Sequence, residues 1–114
     1  MRRVDERRRH NRWILACPVT LRDAAGRIVL RGRGTDVSAY GVRVVGPGGT
    51  ALKEGSQTWA ELSVPNPRAT GPRMRIVKMR GEIRRVTDVG DWKAAVIVFD
   101  TNFKRSLLDP VQVS

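Results

Sequence analysis

Leu15-Ala16-Cys17-Pro18-Val19-Thr20-Leu21 is followed, one residue on, by Asp23-Ala24-Ala25-Gly26 and then by Arg27-Ile28-Val29-Leu30-Arg31-Gly32-Arg33. Leu15, Cys17, Val19 and Leu21 fall on alternate positions, the period of a strand with one buried face. Pro18 has no N–H to give to a ladder, so it marks an edge or a bulge. The Asp-Ala-Ala-Gly turn returns the chain. The next run completes a hairpin, with Ile28 and Leu30 expected on one face and Arg27, Val29, Arg31 and Arg33 on the other.

Toward the C-terminus the same short-strand character recurs. Residues 42–45 read as a third strand, closed by Gly46-Pro47-Gly48-Gly49. That glycine-rich piece lacks the Lys-Ser/Thr ending of a phosphate-binding loop and no helical pattern follows it, so it is a turn. Residues 52–56 suit a helical turn or a loop. Thr58, Ala60, Leu62 and Val64 alternate with Trp59, Glu61 and Ser63 in a fourth strand. Residues 65–72 carry three prolines and a glycine and form a loop.

Residues 74–87 then make a long strand, expected to bend or bulge near Gly81, with Arg73, Arg75, Lys78, Arg80, Arg84 and Arg85 outward. Residues 92–99 are the most apolar run and should be central or closing. Phe103, Leu107 and Leu108 share a face in a short helical segment. Six or so closely spaced strands predict an all-β fold, a small six-stranded antiparallel β-barrel.

At 114 residues and 40% hydrophobic content, the chain suits one domain with one modest core. The expected division is a basic N-terminal arm over residues 1–12, a barrel over 13–99 and a short C-terminal segment over 100–114. With 22 basic and 11 acidic residues the formal charge is +11, and eighteen of the basic residues are Arg. Arg offers a planar fork that pairs bidentately with phosphate and with guanine edges. An Arg-rich codon bias would leave the same imprint. Nucleic acid or a membrane surface would also answer the net charge.

Cys17 and His10 are the only residues of their types, which leaves no disulfide framework and no Cys- or His-rich metal site. No apolar run is long enough to span a bilayer, and the expected location is cytoplasmic. Catalytic triads would have to recruit His10 from the arm, away from packed neighbours, and the carboxylates are scattered through turns. No enzyme is expected.

Two stretches carry the functional signal. Residues 1–12 hold six Arg and only Met1 and Val4 as apolar residues, so they form an arm with no core-facing stripe, expected to be flexible. The arm is open to three readings: a solvated charge run, a nucleic-acid arm with steep salt dependence, or one half of a small-ligand clamp. Asp36-Val37-Ser38-Ala39-Tyr40-Gly41 reads as an acceptor-rich turn between strands, in which Gly41 would supply a backbone conformation closed to other residues.

Arg8 and Arg12 match Arg-x-x-x-Arg, and Asp36, Ser38 and Gly41 match Asp-x-Ser-x-x-Gly beyond a hairpin. In this order, and with the barrel pattern, the chain resembles the PilZ domain family of bacterial cyclic di-GMP receptors. The resemblance implies a six-stranded barrel whose arm folds over the ligand. Arg8 and Arg12 would grip phosphates and guanine Hoogsteen edges, with Arg9 in support, while Asp36 and Ser38 would meet the opposite guanine. Arg7 stands where an Arg implies a ligand bound as a stacked dimer. The family carries no cofactor besides this ligand, and a downstream protein partner is expected. Residues 92–99 depart from the many relatives that carry a Gly before the last apolar residues of this strand.

Two other readings stand beside it. One is a small basic barrel binding RNA or single-stranded DNA through residues 73–85, with Trp59 or Trp92 as stacking surfaces. The other is a degenerate PilZ fold used only for protein contacts.

Overall fold

The computed structural model describes residues 17–48, 52–65, 73–101 and 103, together with the backbone of residues 12–13. The strands are β1 (Arg12–Trp13), β2 (Cys17–Arg22), β3 (Ile28–Ser38), β4 (Gly41–Pro47), β5 (Gln57–Pro65), β6 (Met74–Val89) and β7 (Trp92–Phe99). All pairings are antiparallel. Neighbours run β3-β2-β5-β6-β7-β4, and β4 returns to β3, which closes a six-stranded barrel. β1 is a two-residue addition to β3. The arm residues before Arg12, and the expected helical segment apart from Phe103, lie outside the described residues.

Alternation builds the core as the sequence predicts. Cys17, Val19 and Leu21 of β2, Thr58, Ala60, Leu62 and Val64 of β5, and Val77, Met79 and Ile83 of β6 all point inward and are buried. Burying each large aliphatic side chain contributes about 1.5–3 kcal/mol. Thr58 is buried too, and its hydroxyl donates to the Arg22 carbonyl at 2.8 Å, so no polar atom is stranded there. Pro18 sits where the sequence requires. The β2–β5 ladder begins only at Val19, so Pro18 is paired to β3 on one side. β7 lies between β6 and β4, and its Ala95, Ile97 and Phe99 are inward.

Three irregularities break the alternation, and each corrects the local reading. Leu21 pairs with Leu30 but Arg22 pairs with Ile28, so Val29 is an extra residue on β3. Ile28 therefore leaves the face of Leu30 and is 41% exposed, while Val29 packs against the core. In β6 the extra residue is Arg84, between pairs Ile83–Ile97 and Arg85–Val96, rather than Gly81. Gly81 is instead a close approach, since a Cβ there would stand 2.4 Å from the Val98 carbonyl oxygen.

The third extra residue is Thr35. Gly34 pairs with Val44 and Asp36 with Arg43. A period of two would have carried the inward face from Leu30 and Gly34 to Asp36 and Ser38. The bulge shifts the phase by one, so Val37 is inward at 0% exposure and Asp36 and Ser38 turn outward.

β3 also runs further than its composition suggests. Asp36 and Ser38 belong to the strand, and the turn is reduced to Ala39-Tyr40. Pairing with β4 overrides the turn preference of Asp, Ser and Gly. Gly41 has no positive φ. Its lack of a side chain matters because a Cβ would lie 2.5 Å from the Ile97 carbonyl oxygen, in the path of β7.

Candidate functional site

Asp36 and Ser38 occupy consecutive outward positions of β3, both half-buried. Across the ladder to β4, Arg43 opposes Asp36 and Gly41 opposes Ser38. Ser38 is paired on its other edge as well, where Arg12 of β1 stands opposite it and Trp13 stands opposite Val37. The last Arg of the arm is thus at one register position with the Ser of the second motif. Arg12, the last residue of the expected arm, is paired within the sheet. Arg7, Arg8 and Arg9 lie outside the described residues.

Asp36, Ser38, Tyr40, Gly41, Arg43, Val96 and Val98 line one concavity of ≈ 380 Å³ over β3, β4 and β7. Its polar groups are a carboxylate, a guanidinium and a hydroxyl, and its apolar surface comes from two half-buried valines and the exposed ring of Tyr40. Such a mixture fits a flat, partly apolar ligand with directional polar edges. The Ser38 hydroxyl accepts the Tyr40 N–H at 3.2 Å and donates to the Gly41 carbonyl at 3.4 Å, which ties it to the hairpin it opens. Arg43 Nη1 donates to Thr35 Oγ1 at 3.2 Å, and that hydroxyl donates to the Arg43 carbonyl at 3.5 Å, so the bulge residue anchors the groove's guanidinium.

The turn itself is held from below. The Phe99 N–H donates to the Tyr40 carbonyl at 2.8 Å and the Phe103 N–H donates to the Ala39 carbonyl at 2.6 Å. The Phe99 and Phe103 rings pack with centroids 5.8 Å apart, and Phe103 is fully buried. Both turn residues are therefore bonded to the end of the barrel rather than left to solvent.

Arg43, Tyr40, Val96 and Val98 were not singled out by the sequence. Alternation in residues 42–45 does put Arg43 opposite to the core-facing Val42 and Val44. That it stands beside Asp36 follows only from the Thr35 bulge and the β3–β4 register. Cys17 lies apart from this groove, and burial pushes its thiol pKa up, with the positive charge of Arg33 acting in the opposite direction. Among the described residues no group of His, Cys, Asp and Glu is placed to hold a metal ion. Nor is any described helix long and apolar enough to cross a membrane.

The fold has a counterpart among solved structures. It is similar to that of Bacillus subtilis Inhibitor of motility (MotI/DgrA), with a TM-score of 0.66 and 16% sequence identity. The match covers 89% of this chain and 47% of that chain, so this chain spans about half the length of that protein. At that identity the likeness speaks to the fold alone. No curated protein sequence matches the chain. The family model for the PilZ domain matches residues 6–108, from the arm through the whole barrel. The chain therefore belongs to the PilZ domain family, a family of cyclic di-GMP receptors whose domain binds rather than catalyses.

Proposed function

We propose that this protein binds cyclic di-GMP in the groove over β3, β4 and β7, with Arg12 gripping it from β1 and Arg8 closing on it from the arm. The observation that carries the reading is the register of Arg12 against Ser38, which puts the end of Arg-x-x-x-Arg beside Asp-x-Ser-x-x-Gly. Arg forks match both ligand groups that need them, the phosphates and the O6/N7 edges of guanine. Asp36 supplies a carboxylate acceptor for the guanine amino group. Val96, Val98 and Tyr40 offer apolar surface to the base planes. In this reading Arg7 and Arg9 add charge and donors around the ligand, and Arg7 favours a stacked pair of ligands.

Closing residues 1–11 over the groove would fix their backbone at about 1–2 kcal/mol per residue, so ligand contacts must outweigh that cost. The signal is the new surface made by arm and ligand together, read by a protein partner. No chemical step is involved.

Calorimetric titration with cyclic di-GMP at moderate salt tests the proposal on wild type and on Arg8→Ala, Arg12→Ala and Asp36→Ala. Saturable binding that each substitution weakens supports it. A folded wild type that takes up no ligand sinks it.

A further inference from the structure

A second surface lies on the wall built from β2, β5 and β6. Ile28 opposes Arg22, Arg22 opposes Trp59 and Trp59 opposes Arg80, so four strands contribute to one lateral row on the outer face. Trp59 remains 42% exposed and Ile28 41%. The next outward position of β6 is Lys78, opposite Glu61, followed by Ile76, which is 53% exposed. The indole also walls a concavity of ≈ 400 Å³ with Arg22, Glu61, Lys78 and the turn at residues 23–26.

Both arginines of the row are held in place. Arg22 Nε lies 3.2 Å from Glu61 Oε2, and its Nη1 donates to the Gly26 carbonyl at 2.9 Å. Arg80 Nε donates to Asp100 Oδ2 at 2.9 Å. A tryptophan kept at the surface between two positioned guanidiniums has the composition of an interface centre, where Trp and Arg contribute most. The occupant can be narrowed by charge. Glu61 and Asp100 flank the row and interrupt its positive charge, which disfavours a continuous run of phosphates but leaves Lys78 open to single carboxylates, while Ile28 and Ile76 would gain nothing from a polyanion. An apolar side chain flanked by carboxylates satisfies both demands, filling the space at Trp59 while its charges meet Lys78 and the arginines.

We propose that this row is a docking surface for a partner protein segment presenting an apolar side chain between acidic residues. It is independent of the cyclic di-GMP reading. In the ring β3-β2-β5-β6-β7-β4, β5 stands three strands from β4 in either direction, so Trp59 lies on the wall opposite Arg43 and both surfaces can be occupied together.

A displayed peptide library selected on the full chain, with counter-selection on Trp59→Ala, tests it, followed by calorimetry on the enriched peptides. The expected peptides carry Asp or Glu around an apolar residue. Their affinity falls about tenfold or more in Trp59→Ala and in Lys78→Glu. Trp92→Ala, at the far end of β7, leaves it unchanged. Lys78→Glu alters an exposed side chain, so circular dichroism should show an intact barrel even where Trp59→Ala perturbs it. Enriched peptides without carboxylates, or none that depend on Trp59 and Lys78, would overturn the proposal. So would a short oligothymidine that binds through Trp59 with a steep salt slope, which would make the row a nucleic-acid surface.

Discussion

Arg12 and Ser38 oppose each other in an antiparallel ladder, one on β1 and the other on β3. They are separated in sequence by a whole hairpin, yet the backbone brings them to a single register position. Ser38 is on the outer face of the sheet. With Thr35 in the strand, only the bulge there keeps Ser38 on that face.

Replacing Arg12 with Ala should weaken cyclic di-GMP binding by about five- to 150-fold, the worth of about 1–3 kcal/mol for a bidentate Arg pair. Arg12→Lys should recover little of this, because an ammonium cannot make the fork. Calorimetry on both variants, at matched salt, is the measurement. Equal affinity in Arg12→Lys and wild type would reduce the role of Arg12 to bare charge.

Deleting Thr35 should remove the bulge but keep the faces of β3. Without the extra residue Gly34 and Asp36 become adjacent positions opposite Val44 and Arg43, so Val37 stays inward and Asp36 and Ser38 stay outward. Thermal unfolding by circular dichroism should still show a cooperative transition in the deletion, at a midpoint lowered by the loss of the bulge geometry. Thr35→Ala should lose only the bonds to Arg43, about 1 kcal/mol.

Glycines that admit neighbouring backbone should be less replaceable than glycines that merely adopt positive φ. A Cβ on Gly32 would meet the Val45 carbonyl oxygen at 2.1 Å, and one on Gly46 would meet that of Arg31 at 2.2 Å, where β3 and β4 cross. Ala at either position must push β3 and β4 apart, with an expected cost of about 1–3 kcal/mol or more. Gly26 has φ +89 with open space around it, so its Ala variant should lose only about 1 kcal/mol. Denaturant titration of the three variants orders them.

The buried Cys17 thiol gives a signed pH dependence. Its folded pKa is raised by burial, so as pH rises through the ordinary thiol range the unfolded chain releases the proton first. The unfolded state then binds fewer protons, and stability falls with pH above about 8.5. Cys17→Ala should flatten that region of the curve, measured as denaturation midpoints between neutral and alkaline pH. Alkylation of Cys17 in the native protein should be slow for the same reason.

Much of the barrel was legible because strand alternation is local. Cys17, Val19, Leu21, Ala60, Leu62 and Val64 announce their inward faces by spacing alone, and Pro18 announces where a ladder must be one-sided. The two motifs were legible as residue types in order, enough to expect the family that residues 6–108 match. What spacing cannot carry is the phase of a strand after a bulge. Val29, Thr35 and Arg84 are extra only with respect to a partner strand, so their effect on Ile28, Asp36 and Arg85 appears only when the strands are paired. Composition likewise favoured a turn at residues 36–41. Pairing with β4 made most of it strand, and the approach of β7 to Gly41 decided why that residue has no side chain. The sequence by itself determined which residues face inward over each uninterrupted run and which motif residues are present. The tertiary structure alone decided that Asp36 and Ser38 face outward, that Arg43 stands beside them, and that Arg12 meets Ser38. Register and closure are properties of pairs of strands, and no single strand encodes them.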